Sequence, residues 1–187
     1  MWRVITNPVL EPVTMPEMRE HLRVEHTEED TLIDSLIIAA REMCELTTRR
    51  SFITQTLRLS LAEWPGCNYI RLMRPPLQSV VAVRYINEDG MTQTFVSSNY
   101  VVDTDGERVV LQNNAVWPAT TLQAGSPVTV DYVAGYGNEP QYVPERYRQA
   151  IRLLAAHWYE NREVAAEKQQ YEIPYAVKAL LMIDRAY

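Results

Sequence analysis

The sequence predicts an α+β fold, with helices at both ends of the chain and an inserted antiparallel β module of about seven short strands. Three observations predict it. Apolar residues recur at three- and four-residue spacing before residue 50 and again after residue 143. Between these stretches lie short alternating runs rich in Val, Thr and Tyr, separated by turn residues. No apolar run approaches the roughly 20 residues of a membrane-spanning helix, so a soluble packed arrangement is expected. The helical part, read as a four-helix bundle, takes residues 1–51 and 138–187, and the β-rich module takes 52–137.

Thr14-Met15-Pro16-Glu17 has the form of a capping box with proline in the first turn, opening a short helix to about Val24. Thr27-Glu28-Glu29-Asp30 reads as a second helix start that places acids at the positive end of a longer helix. Leu32, Ile33, Leu36, Ile37, Ala40, Met43, Cys44 and Thr47 form the apolar face of that helix. Arg49 and Arg50 close it, where positive charge suits the dipole. A partner contact is the alternative, because adjacent arginines point in different directions.

The seven strands are expected at residues 54–61, 69–73, 79–86, 91–96, 100–103, 108–111 and 128–133. Asn87-Glu88-Asp89-Gly90 and Asp105-Gly106 supply hairpin turns. Gly135-Tyr136-Gly137 lacks the lysine and hydroxyl residue of a phosphate cradle, and reads as a turn from strand to helix.

Pro144 suits the first turn of a helix running to about residue 164, in which Tyr147, Ile151, Leu154, Ala155 and Trp158 make a buried stripe. Arg146, Arg148, Arg152, Glu160 and Arg162 lie on its other side. Trp158 and Tyr159 are adjacent and cannot both face one core; Trp158 is read as the buried ring, Tyr159 with Arg162 as the exposed edge. Pro174 opens a last helix to about residue 185, with Val177, Leu180, Leu181 and Asp184 on one side.

The 187 residues are 47% hydrophobic, enough for a sizeable core. Cys44 and Cys67 form no disulfide framework and are read as free thiols. The N-terminal residues lack the apolar stretch of a secretory signal, which points to a cytoplasmic product. The net charge of −6 is uneven, since residues 1–50 alone carry 6 basic and 10 acidic groups. Such a balance does not suit gripping a phosphate backbone, so DNA that comes near should slide past.

No catalytic, cofactor or metal site is expected. His21 and Glu25 fall one turn apart on a helix, but His26 lies at its end and no third ligand is indicated. His157 and Glu160 lack a nucleophile at matching spacing. Glu88 with Asp89, and Asp103 with Asp105, lack the ligand count of a calcium loop and read as solvated hairpin tips. Two rival classes remain open. One is a carbohydrate- or ligand-binding β module with Trp64 and Trp117 as an exposed platform; the other is a hydrolase using His21 or His157.

The order of several segments resembles the head-tail connector, or adaptor, proteins of long-tailed bacteriophages and related gene transfer agents, in the longer version with a β insertion. These segments are His21-Leu22-Arg23-Val24, Glu29-Asp30-Thr31-Leu32-Ile33, Ala39-Ala40-Arg41-Glu42, Arg74-Pro75-Pro76-Leu77-Gln78-Ser79-Val80, Tyr132-Val133-Ala134-Gly135-Tyr136-Gly137, Val143-Pro144-Glu145 and His157-Trp158-Tyr159-Glu160-Asn161-Arg162-Glu163. One departure is visible: Leu46-Thr47-Thr48-Arg49 stands where the family commonly has an aromatic-Thr-Gly-Arg turn, so the helix exit is expected to differ.

The resemblance implies a structural virion protein at the head-tail junction, assembled in the cytoplasm of a bacterial host. It would form a ring, usually twelve-fold, beneath the portal and present a platform to the next tail connector or stopper protein, with DNA only passing through the channel. The helices would form a wedge repeated around the ring, with the β module projecting from it. Arg49, Arg50, Trp158, Tyr159 and Arg162 are the expected contact residues, because aromatic and arginine side chains most often anchor interfaces. Tyr175 and Tyr187, in the segment expected to face the portal, join them.

Overall fold

The structure is a computed structural model that describes residues 1–161 and 174–182. It is an α+β fold of four helices, α1 (Met15–Leu22), α2 (Asp30–Thr48), α3 (Glu145–Glu160) and α4 (Tyr175–Met182), with two antiparallel sheets. The chain divides into two units: Met1–Pro8 with Thr54–Gly135 holds the sheets, and Val9–Ile53 with Tyr136–Tyr187 holds the helices.

The sheet unit contains β1 (Trp2–Thr6), β2 (Gln55–Leu61), β3 (Tyr69–Arg71), β4 (Leu77–Ile86), β5 (Thr92–Phe95), β6 (Tyr100–Asp103), β7 (Arg108–Leu111) and β8 (Val128–Ala134). Five strands pair in the order β1-β2-β8-β4-β5 and three in the order β3-β7-β6. The seven strands β2 to β8 fall where alternation and turns place them. β1 was not anticipated, and it puts residues 1–8, assigned above to the helices, in the sheet unit. It pairs with β2, more than fifty residues away, so no local pattern announces it. Its Trp2 ring packs toward the core beneath the guanidinium of Arg74, 4.4 Å from the ring centroid.

Both sheets turn one face into a shared core that includes Leu57, Leu59, Ile70, Val83, Phe95, Val109, Val130 and Tyr132. Tyr132 is fully buried and donates its hydroxyl to the Met73 carbonyl at 2.7 Å, which gives its polar tip a partner. Burial pushes that hydroxyl's pKa up to about 12.

In the helical unit, residues from all four helices enter one core: Met18 from α1; Ile33, Ile37, Ala40 and Cys44 from α2; Tyr147, Ile151 and Leu154 from α3; Val177 and Leu181 from α4. Phe52 stacks on Tyr147 with centroids 4.6 Å apart. The capping box of α1 is present: the Thr14 hydroxyl accepts from the Glu17 amide, and Glu17 accepts from the Thr14 amide at 2.9 Å. The second expected box is not. Glu29 occupies the N-cap of α2 without a side-chain cap bond, and Thr27 lies in the preceding turn. Pro144 sits at the N-cap of α3, one residue before the first turn.

The exits of α1 and α2 are both closed by the backbone. Both α1 and α2 end with an arginine in the left-handed conformation, Arg23 and Arg49, each at φ 57°. The next amides, Val24 and Arg50, reach back to the Arg19 and Glu45 carbonyls, closing each helix with backbone bonds of the Schellman type. Gly137 is required for a different reason: a Cβ there would lie 2.5 Å from the Tyr142 ring.

Candidate interaction surfaces

A buried charge network holds the helical unit from inside. Arg41 donates Nε to Glu11 Oε2 at 2.7 Å and Nη1 to Glu45 Oε2 at 3.1 Å, while the other Glu45 oxygen accepts the Phe52 amide at 2.7 Å. One buried guanidinium thus ties the segment before α1, the helix α2 and the chain leaving it. Burial lifts the Glu11 carboxyl above its usual range even though Arg41 acts in the other direction. Sequence reading missed this network because Arg41 and Glu45 fall beside the apolar stripe of α2 and look like an exposed i, i+4 pair.

The arginines expected on the open side of α3 are also tied within the chain. Arg148 donates to the Pro12 carbonyl at 2.9 Å, to Glu145 at 2.8 Å and to Glu17. Arg152 donates to Glu145 and Gln149, and the Arg146 guanidinium lies over the Tyr147 ring at 4.8 Å. Burial would raise the Glu17 carboxyl, but the Thr14 amide, Arg148 and the Thr14 hydroxyl together hold it below its usual range. These groups orient α3 against α1 and are largely satisfied.

Among the expected contact residues, Trp158 and Tyr159 do not divide into a buried and an exposed ring. Both are half-buried and pack against the helical core, and the Tyr159 hydroxyl donates to Glu29 at the start of α2. Arg50 is half-buried. Arg49 is exposed, and because backbone amides close the helix, its guanidinium is not needed as a cap. Tyr175 is 87% exposed at the start of α4. Arg162 and Tyr187, with Asp184, lie outside the described residues.

The chemical alternatives find little geometric support. α1 ends at Leu22, so His21 and Glu25 do not share a helix. His26 pairs with Glu28 at 3.1 Å, and His157 faces Asn161. Among the described residues no group of three His, Cys, Asp or Glu side chains is placed to hold a metal ion. Burial pushes the Cys44 thiol up to about 12, which leaves it unreactive. Trp64 and Trp117 stack on each other at 5.0 Å and pack against the sheet core, with the Trp117 indole donating to the Cys67 carbonyl at 2.8 Å. Each ring therefore covers a face that a sugar platform would have to present.

Residues 119–185 match the family model described as phage gp6-like head-tail connector protein. None of the curated proteins matches. Among solved structures, the fold is similar to a chain of the virion of a native gene transfer agent particle. That match has a TM-score of 0.81 and 26% identity, covering 100% of this chain and 96% of the other. A chain from the neck of an empty particle of this kind, computed with C6 symmetry, matches with TM-score 0.81 and 27% identity over 100% and 96% of the two chains. A third, from the neck of a native particle computed with C12 symmetry, matches with TM-score 0.74 and 25% identity over 96% and 94%. The resemblance to the head-tail connector family read from the sequence is borne out. The matches support a structural protein of a virion neck.

Proposed function

From a chain that carries the connector pattern at its C-terminal end and the neck-protein fold along its whole length, we propose a head-tail adaptor of a phage-like particle. Copies of the chain form a ring beneath the portal, receive the tail connector on the other side and leave a channel through which DNA passes. The observation that carries this reading is the match over the full chain length to chains of gene transfer agent particles, one from a virion at 26% identity and one from a neck at 27%. The symmetry of those necks favours a ring of identical subunits, and closed rings are what repeated head-to-tail contacts produce.

The surface chemistry fits a passive conduit. The net charge of −6 disfavours gripping a phosphate backbone, so DNA passes without being held. Arg49 and Tyr175 are the best candidates for contacts to a partner, because both are exposed and neither is needed to complete its own helix. Trp158 and Tyr159 act one step back, by bracing α3 against the core and α2. The test is electron microscopy of the full chain mixed with its cognate portal. A ring seated on the portal is expected; a portal that stays bare at saturating protein overturns the adaptor reading.

A further inference from the structure

The outer face of the five-stranded sheet carries a cluster of arginines. Alternation along β2 and β8 sends Leu57, Leu59, Val130 and Tyr132 inward, and therefore turns Arg58 and Asp131 outward as direct cross-strand neighbours. Arg58 donates Nε to Asp131 Oδ1 at 2.5 Å and Nη2 to Oδ2 at 2.8 Å, and Arg84 of β4 donates Nη1 to Oδ2 at 2.7 Å. One carboxylate thus pre-orients two guanidinium groups, each of which keeps further N–H donors. Thr56, Ser60 and Thr129 on the same face have short side chains, so the floor around the arginines is flat. Arg3 of β1 stands directly opposite Arg58, is exposed and has no ion-pair partner among the described residues. Like charges directly opposite one another are unfavourable, and the one aspartate of this face is already taken by Arg58 and Arg84.

The matching charge lies on the same chain. Residues 9–53 carry ten acidic and five basic groups, and Glu20, Glu25 and Asp34 are exposed there without an ion pair among the described residues. We propose that the arginine face of the sheet docks the acidic surface of residues 9–53 of a second copy, as the contact that repeats around the ring. This rests on the ring reading given above. The pre-ordered arginines would set the register of neighbouring subunits, and the short hydroxyl side chains would let a helix approach closely.

The test is a charge exchange in the full chain, read as binding to the cognate portal and as subunit association by mass photometry. Arg3→Glu alone, and Glu20→Lys with Asp34→Lys, should each weaken subunit association about tenfold, and all three changes in one chain should restore it to within about threefold. Thermal unfolding of each variant should match the native chain, since all three positions are exposed. If the native chain forms rings and Arg3→Glu forms them equally well, this docking is wrong and the ring reading stands. If the native chain forms no ring on the portal, both fall. A short DNA duplex that binds the native chain at low salt and is released by Arg3→Glu, with assembly unchanged, would overturn the docking in favour of a nucleic-acid surface.

Discussion

The two units handle charge in opposite ways. In the helical unit three arginines turn inward onto the chain's own acids: Arg41 onto Glu11 and Glu45, Arg148 onto Glu17 and Glu145, Arg19 onto Asp30. In the sheet unit one aspartate holds two arginines on an open face, and a third arginine is left exposed. Inward pairing fixes how elements of one subunit pack. Outward pairing presents a prepared surface to something else.

The largest effect that separates the two should come from Arg41→Met. It removes the Arg41 bond to Glu45, which is only 2% exposed, and breaking a buried pair by removing one partner costs about 3–5 kcal/mol. Urea unfolding should show this loss in the helical unit; a loss below about 1 kcal/mol would mean that the network is not what ties α2 to its neighbours.

Asp131→Asn should cost less, about 1–2 kcal/mol, because Arg58 and Arg84 remain partly solvated. The effect should depend on pH in a defined direction. The bonds from Arg58, and then those from Arg84, hold the Asp131 carboxyl below its ordinary value of 3.8. Its contribution is therefore present above pH 3.8 and lost as pH falls through the lower folded value. Unfolding measured between pH 2 and 6 should show the native chain and Asp131→Asn converging at the acid end.

The smallest expected effect has the opposite sign. Arg49→Gly relieves a left-handed conformation that costs a side chain about 1 kcal/mol, so it should raise the unfolding midpoint slightly. It should also weaken assembly on the portal, if Arg49 is retained for contact. A variant that gains stability and assembles normally would remove Arg49 from the interface.

How legible these features were in the sequence follows from their range. Strands β2 to β8 could be read because alternation and Asp-Gly turns are local, and the apolar faces of α2 and α3 because helical spacing is local too. The strand Trp2–Thr6 could not, since the strand it pairs with begins at Gln55. Arg58 and Asp131 each lay on the polar side of an alternating run, but only the register between β2 and β8 makes them neighbours across 73 positions. The bond from Tyr159 to Glu29 spans 130 positions, and that is why an apparently exposed ring proved to be a brace.

The strand order carries a consequence for synthesis. β8 is the last strand made, yet it sits in the middle of the five-stranded sheet, between β2 and β4. Until the ribosome has released residue 134, the β1–β2 and β4–β5 pairs exist as two ribbons with open inner edges. Each ribbon is a template for mispairing with another nascent chain. Closure waits for a long-range insertion, so folding of the sheet unit should be slow.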